Sequence, residues 1–381
     1  MNPRLARSVA VAAIAATTLG ATATAHAAAG MEIGLQDDAV FLYQSYYNRD
    51  VALQQARQLG VTRLRVNVLW SRIASAQAGQ TTPPSPVIYN WAPYDSLVDA
   101  AAAAGIKVQF SIAGPAPAWA NAKHQNNLHA GAYKPNAALY GAFVRDVVSH
   151  FKGRVDRYSI WNEPNWKGWL APLKNSPQIY ASLYRAGYAA VKSVDPSAKV
   201  LFGELAPQER KGNSIAPITF IKQATARGHM VADGFAHHPY AFNIAPGSKK
   251  GGPNDVTMGT LGRLTKLLKG LAHSHKLRAP NGGAPPLYLT EYGYFARGPR
   301  SLGETRRSAY LRQGFQMAQK NPAVREMVQY SLVAPPGGIA WDTSLIQANG
   351  QPDPAFQSLS SWVSGAAAAG RVAALLPTLP L

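Results

Sequence analysis

Two glutamates stand in settings that suit paired proton transfer and nucleophilic attack. Glu163 lies in Ser159-Ile160-Trp161-Asn162-Glu163-Pro164-Asn165, and Glu291 in Leu289-Thr290-Glu291-Tyr292-Gly293-Tyr294. Two carboxyl groups held face to face can divide the labour of substitution at an acetal carbon. One, kept protonated by burial and by its neighbour's negative charge, donates to the leaving oxygen; the other attacks the carbon. Arg65 and Tyr240 are candidates to donate hydrogen bonds to the attacking group. Retention of configuration calls for carboxyl carbons about 5–5.5 Å apart, whereas inversion needs the wider gap that admits a water.

Elements must bring these acids together from distant parts of the chain. Short apolar β-like runs occur at Glu32–Gln36, Val61–Trp70, Ile106–Gly114, Val155–Trp161, Lys199–Glu204, Gly234–Tyr240, Leu287–Tyr292 and Met327–Val333. Helical spacing fills Val51–Leu59, Tyr94–Ala104, Ala137–His150, Ile179–Val194, Ile218–Ala226, Leu261–Ala272 and Glu304–Ala318. Gly60, Gly105 and Gly153 follow three of these helices as stop signals. Strands rich in Val, Ile and Leu that alternate with helices pair in parallel. The pattern predicts an α/β fold, a closed (β/α)8 barrel. An open doubly wound sheet is the rival, but Asp37-Asp38-Ala39 stands where its Gly-rich phosphate turn would be. In a barrel, acids at strand C-termini project into the active-site face, and strands four and seven face each other across its mouth.

Trp-Asn-Glu-Pro at strand four and Thr-Glu-Tyr-Gly at strand seven resemble glycoside hydrolase clan A, most closely its family 39 and family 5 members. That resemblance spans nearly the whole chain after the first thirty residues. It implies Glu163 as acid/base and Glu291 as nucleophile of a retaining glycosidase acting on β-linked oligo- or polysaccharide, with no cofactor. It also implies substrate-binding roles for Arg65 on strand two, for Asn162 beside the acid/base, and for the pair His238 and Tyr240 on strand six. The clan often places a Trp at the end of strand eight. Here Ala334-Pro335-Pro336 occupies that stretch, and Trp341 is the nearest indole.

Other residues carry two readings. Trp119, Trp166, Trp169, Tyr294 and Phe295 follow strands, so each suits either stacking on sugar faces or loop packing; Trp119 and Trp166, together with Trp341, are expected to bind substrate. Asp37 and Asp38 could contact sugar, and Glu204 is the rival carboxylate, more naturally structural. His237-His238 does not read as a metal site, because adjacent strand residues face opposite ways and no H-E-x-x-H accompanies them. No G-x-S-x-G elbow or P-loop is present.

The ends and the composition bound the rest. Arg4 and Arg7, the apolar stretch to Leu19 and Ala25-His26-Ala27 have the order of a secretory signal. Residues 1–27 are therefore expected to be a signal peptide of a secreted protein, 31–364 the barrel, and 365–381 a flexible tail. No stretch has the length of a membrane span. The absence of cysteine excludes disulfides and thiolate chemistry. A formal charge of +19 favours anionic surroundings, an acidic polysaccharide among them, or simply a solvated basic face. Its basic residues form no run longer than a doublet such as Lys249-Lys250 or Arg306-Arg307, which does not favour nucleic acid. Two further readings keep the barrel: a transglycosylase remodelling wall or capsule glycan, and a non-catalytic polysaccharide-binding protein.

Overall fold

Strand residues alternate between an apolar and a polar face, and this alternation dictates how the barrel is filled. In Arg63-Leu64-Arg65-Val66-Asn67-Val68-Leu69, the residues Leu64, Val66 and Val68 are buried in the apolar core, while Arg63, Arg65 and Asn67 bond to polar partners beside the ends of other strands. The computed structural model describes residues 30–74, 80–122 and 131–375. The expected signal segment, residues 1–27, lies outside them.

Eight parallel strands close into a barrel: β1 (Glu32–Gln36), β2 (Arg63–Leu69), β3 (Lys107–Ala113), β4 (Arg157–Ile160), β5 (Lys199–Leu205), β6 (Gly234–His237), β7 (Leu287–Tyr292) and β8 (Val324–Tyr330). Each neighbours the next in chain order, and β8 pairs with β1 to complete the ring. The principal helices follow one per strand: α1 (Arg49–Gln58), α2 (Ala92–Ala103), α3 (Ala137–Phe151), α4 (Ser176–Val194), α5 (Pro217–Ala224), α6 (Leu261–His273), α7 (Glu304–Lys320) and α8 (Pro354–Ala368). The chain is thus a (β/α)8 barrel. None of the described helices is long and apolar enough to cross a membrane.

Local chemistry sets the helix starts. Asn48 and Asn136 accept backbone N–H groups at the first turns of α1 and α3, and Pro217 and Pro354 open α5 and α8. The N-terminal end of the barrel is closed by ion pairs. Arg63 bonds Glu32 at 3.0 Å and Asp156 at 2.7 Å, and Arg157 reaches Glu32 at 2.5 Å. These charges lie at the strand starts, opposite the face where the two glutamates emerge.

Two expectations need correction. The tail does not begin at residue 365: α8 runs through to Ala368 with Ala366 fully buried, and Val372 bridges to Met31. Strand eight ends at Tyr330 rather than Val333. The apolar residues that follow are buried but leave the sheet, because the N–H groups of Leu332 and Val333 donate to the Asp37 carboxylate at 3.0 and 3.1 Å. Asp37 is therefore a cap and a loop anchor rather than a surface acid.

Candidate active site

Glu291 lies on β7, and Glu163 follows the end of β4. Their side chains are 12% and 14% exposed, so both are accessible from the cleft but largely desolvated. Glu163, His238 and Glu291 each place a donor atom within 4.8 Å of the others. The chain turns sharply to present the first glutamate: Trp161 and Glu163 have φ of 67° and 37°, a left-handed conformation uncommon outside glycine. The backbone N–H of Glu163 donates to the carbonyl of Glu204 at 2.8 Å, which ties this turn to β5.

Glu204 is the buried anchor of the constellation. Gly203 at φ 120° and Glu204 at φ 52° interrupt the register between β5 and β6. Such a bulge re-aims a side chain, and here it turns the Glu204 carboxylate into the barrel. That carboxylate accepts from Arg65 at 2.9 Å and Thr290 at 2.7 Å, and lies 2.7 Å from His238 Nε2. Burial alone would raise its pKa, but the Arg65 guanidinium and His238 hold it down to about 2.

Arg65 and His238 link this anchor to the two glutamates. Arg65 donates to Glu291 at 2.8 Å, to Asn162 Oδ1 at 2.7 Å, and to Gln36. His238 Nδ1 is 3.0 Å from Glu163 and 3.7 Å from Glu291. Burial opposes charge on the imidazole, yet Glu291 and the bonded carboxyls Glu163 and Glu204 raise its pKa to about 9. Tyr240 completes the set by donating its hydroxyl to Glu291 at 3.1 Å. Burial raises the pKa of Glu163, an effect that the charge of Glu291 reinforces and His238 opposes. Three carboxyl groups thus face two cations, so the cluster is electrically balanced with one proton among the acids. Desolvation and the neighbouring carboxylate favour that proton on Glu163.

The structure therefore brings together Glu163, Glu291, Arg65, Asn162, His238 and Tyr240, although His238 and Tyr240 lie just past β6 rather than within it. His237 turns the other way: its Nε2 contacts the Val256 carbonyl at 2.8 Å, and burial lowers its pKa to about 3. A cleft of about 380 Å³ opens beside Glu163, with Trp166, Tyr240 and Trp341 among its walls. Trp166 is 41% exposed there, and Trp341 stands edge-on to Tyr240 at 5.4 Å. Trp119 does not join them. It is 6% exposed and packs edge-on against Trp70, because its 3-10 turn directs the ring onto the aromatic layer around Phe143.

Four contributors to the site were not singled out as such from sequence: Ser111, Thr290, Gln36 and Tyr330. Ser111 meets Arg65 at 3.3 Å from β3, and Tyr330 ends β8 within the field of Glu291. All four lie at or near the ends of barrel strands, the one signal that could have marked them.

No family model and no curated protein matches the sequence. Solved structures do match in three dimensions. A family 39 glycoside hydrolase from the gut symbiont Bacteroides cellulosilyticus aligns at 18% identity and TM-score 0.59, covering 88% of this chain and 64% of that one. A family 39 β-xylosidase from Caulobacter crescentus aligns at 17% identity and TM-score 0.60, covering 89% and 73%. Xylanase 10B from Thermotoga petrophila, solved with xylobiose, aligns at 17% and 0.58, covering 88% and 94%. At these identities the likeness establishes the architecture: the chain has the (β/α)8 barrel found in clan A glycoside hydrolases.

Proposed function

We propose that the chain is an exported, retaining glycoside hydrolase that cleaves β-linked oligo- or polysaccharide by double displacement. The observation that carries this reading is the Glu163–Glu291 pair, with oxygens within 4.8 Å of each other at opposed strand ends. This closeness favours the spacing of retaining enzymes over the gap of about 6.5–9.5 Å that inversion requires. The clan A architecture and a sugar-sized cleft with aromatic walls support the same reading.

In the first step a carboxylate oxygen of Glu291 attacks the anomeric carbon. The bond to the leaving oxygen breaks, and Glu163 gives that oxygen its proton. Arg65 and Tyr240 fix the attacking carboxylate, and Asn162, itself held by Arg65, faces the sugar's hydroxyls. The result is a glycosyl ester of Glu291, which no longer repels a negative charge on Glu163. Glu163, now ionised, takes a proton from water as that water attacks the anomeric carbon. The ester bond breaks, and both glutamates return to their starting states. Every proton and electron pair is accounted for by the two glutamates, the substrate and water, so no cofactor is needed. The Glu163–His238–Glu291 cluster could offer three donor atoms to a cation, but the Arg65 guanidinium already neutralises Glu291. We assign the cluster to acid–base work.

The decisive experiment is hydrolysis of aryl β-glycosides and purified polysaccharides by protein collected from culture medium, whose chain is expected to begin after Ala27. Glu163→Gln should lose roughly 10²–10⁴-fold in kcat, least on substrates with good leaving groups. Glu291→Ala should be inactive, with azide restoring turnover and yielding the glycosyl azide of inverted configuration. Full activity of either variant would overturn the assignment. Absence of the protein from the medium would overturn the export reading, and an N-terminal segment retained on the medium protein would overturn cleavage after Ala27.

A further inference from the structure

The cleft beside Glu163 has a charge pattern that the two-glutamate chemistry does not require. Arg210, on the loop after β5, and Arg300, on the loop after β7, both line it, and Glu163 is the one carboxyl group among the lining residues. Neither arginine forms an ion pair among the described residues, which is equally true of surface arginines such as Arg72 and Arg312. What sets these two apart is that both line one cleft with the acid, whereas Arg63, Arg65, Arg157, Arg297 and Arg307 are tied to acids. Arg297 is instructive: close to Arg300 in the chain, it pairs with both Asp342 and Asp353.

The two unpaired guanidiniums are nevertheless held in place. That of Arg210 faces the ring of Phe242 at 5.4 Å. That of Arg300 lies 3.8 Å from the centre of Phe295 and 5.4 Å from that of Trp341, and donates one hydrogen bond, at 2.6 Å, to the Ala340 carbonyl. Phe242 and Trp341 meet at right angles with centroids 5.9 Å apart, so the guanidiniums flank a single aromatic wall. Stacking fixes a guanidinium through its face and leaves its edge N–H groups free for an anion. A solvated surface arginine would account for one such residue. Two in one concavity, both stacked and both lacking an acid, point to a ligand.

Position identifies which part of the ligand this is. The general acid must touch the leaving oxygen, and Glu163 lines this cleft directly, whereas Glu291 meets it only through its hydrogen-bond partner Tyr240. The group it holds is therefore the leaving one. We propose that Arg210 and Arg300 form a subsite for an anionic sugar on the leaving-group side of the scissile bond. The anion is a uronate carboxylate or a sulfate ester, either of which fits the two-toothed geometry of arginine. The proposal rests on the glycosidase reading, and it agrees with a chain of formal charge +19, which draws polyanions toward the cleft.

The test uses matched oligosaccharides: uronate-containing against carboxyl-reduced, and sulfated against desulfated. Their binding to Glu163→Gln is measured by calorimetry, and their cleavage by the wild-type protein. The expected result is a preference of about tenfold or more for one anionic member, weakened by salt and brought toward unity by Arg210→Gln with Arg300→Gln. Whichever pair shows the preference identifies the anion as carboxylate or sulfate. Equal binding and cleavage of charged and neutral members would overturn the proposal even if aryl β-glycosides are cleaved. Anion-selective binding without turnover of any glycoside would instead overturn the hydrolase reading and leave the subsite standing.

Discussion

His238 touches both the acid and the anchor, so it serves as a positioning residue rather than a proton carrier. Its imidazolium lies between Glu163 and Glu204, and its charge lowers the proton affinity of Glu163. Replacing it by glutamine keeps some hydrogen-bonding capacity but removes the charge. Glu163 then holds its proton more tightly, and the alkaline limb of kcat/KM should move to higher pH in His238→Gln. Activity at the optimum should fall by roughly 10–100-fold, because the acid is no longer fixed in its proton-donating geometry. A purely structural role for His238 would lower activity without moving the limb. Pre-steady-state and steady-state pH profiles on one aryl glycoside separate the two outcomes.

Glu204 is aimed by an element rather than by its own rotamer. The bulge at Gly203 depends on the missing side chain: at φ 120°, a Cβ there would lie 2.3 Å from the Ala236 carbonyl oxygen. Gly203→Ala should therefore cost on the order of 2 kcal/mol or more in denaturant unfolding and disturb the Glu204 contacts to Arg65 and His238. Gly365→Ala is the matched control. It lies within α8 with no atom within 4 Å of the added Cβ, and should be neutral or stabilising by up to about 1 kcal/mol. Equal effects of the two would show that the bulge is not what positions Glu204. Such a bulge also marks where sequence reading stops. Apolar runs and glycine stops revealed the eight strands and seven of the eight principal helices, and the acids fell at opposed strand ends. Register breaks and loop trajectories come from tertiary contacts that no local pattern encodes. The structural reading of Glu204 holds but not the bulge that aims it, and Trp119, expected in the cleft, turns its ring inward. The pair Leu332-Val333 extends strand eight by its apolar pattern, because nothing local reveals that Asp37 draws its backbone away. The alanine-rich end of α8 read as tail, since its periodic apolar face is made largely of small side chains.

At the scale of the whole molecule, the same buried charges set the pH range of stability. Glu204 has a folded pKa of about 2 against an ordinary 4.5, so its stabilisation is full above pH 4.5 and lost as the pH falls through 2. His238 has a folded pKa of about 9 against 6.5, so its stabilisation is full below pH 6.5 and lost as the pH rises through 9. Asp37 and Glu326 act on the alkaline side as well. Burial raises both to about 7 from ordinary values of 3.8 and 4.5, so each erodes stability as the pH climbs from its ordinary value to 7 and no further above it. Glu204 therefore opens the acid limb, while Asp37, Glu326 and His238 successively erode stability on the other side. The melting temperature should peak near pH 4–4.5 and decline in both directions. Its alkaline decline can be assigned by comparison with His238→Gln. A protonated, paired His238 contributes on the order of 3 kcal/mol below pH 6.5, and this contribution vanishes by about pH 9. The stability difference between wild type and His238→Gln should therefore shrink across that interval. A difference that stays constant from pH 6 to 9 would mean that His238 is neutral in the folded protein. The charge balance that places the mobile proton on Glu163 would then have to be redrawn with only Arg65 facing the three acids.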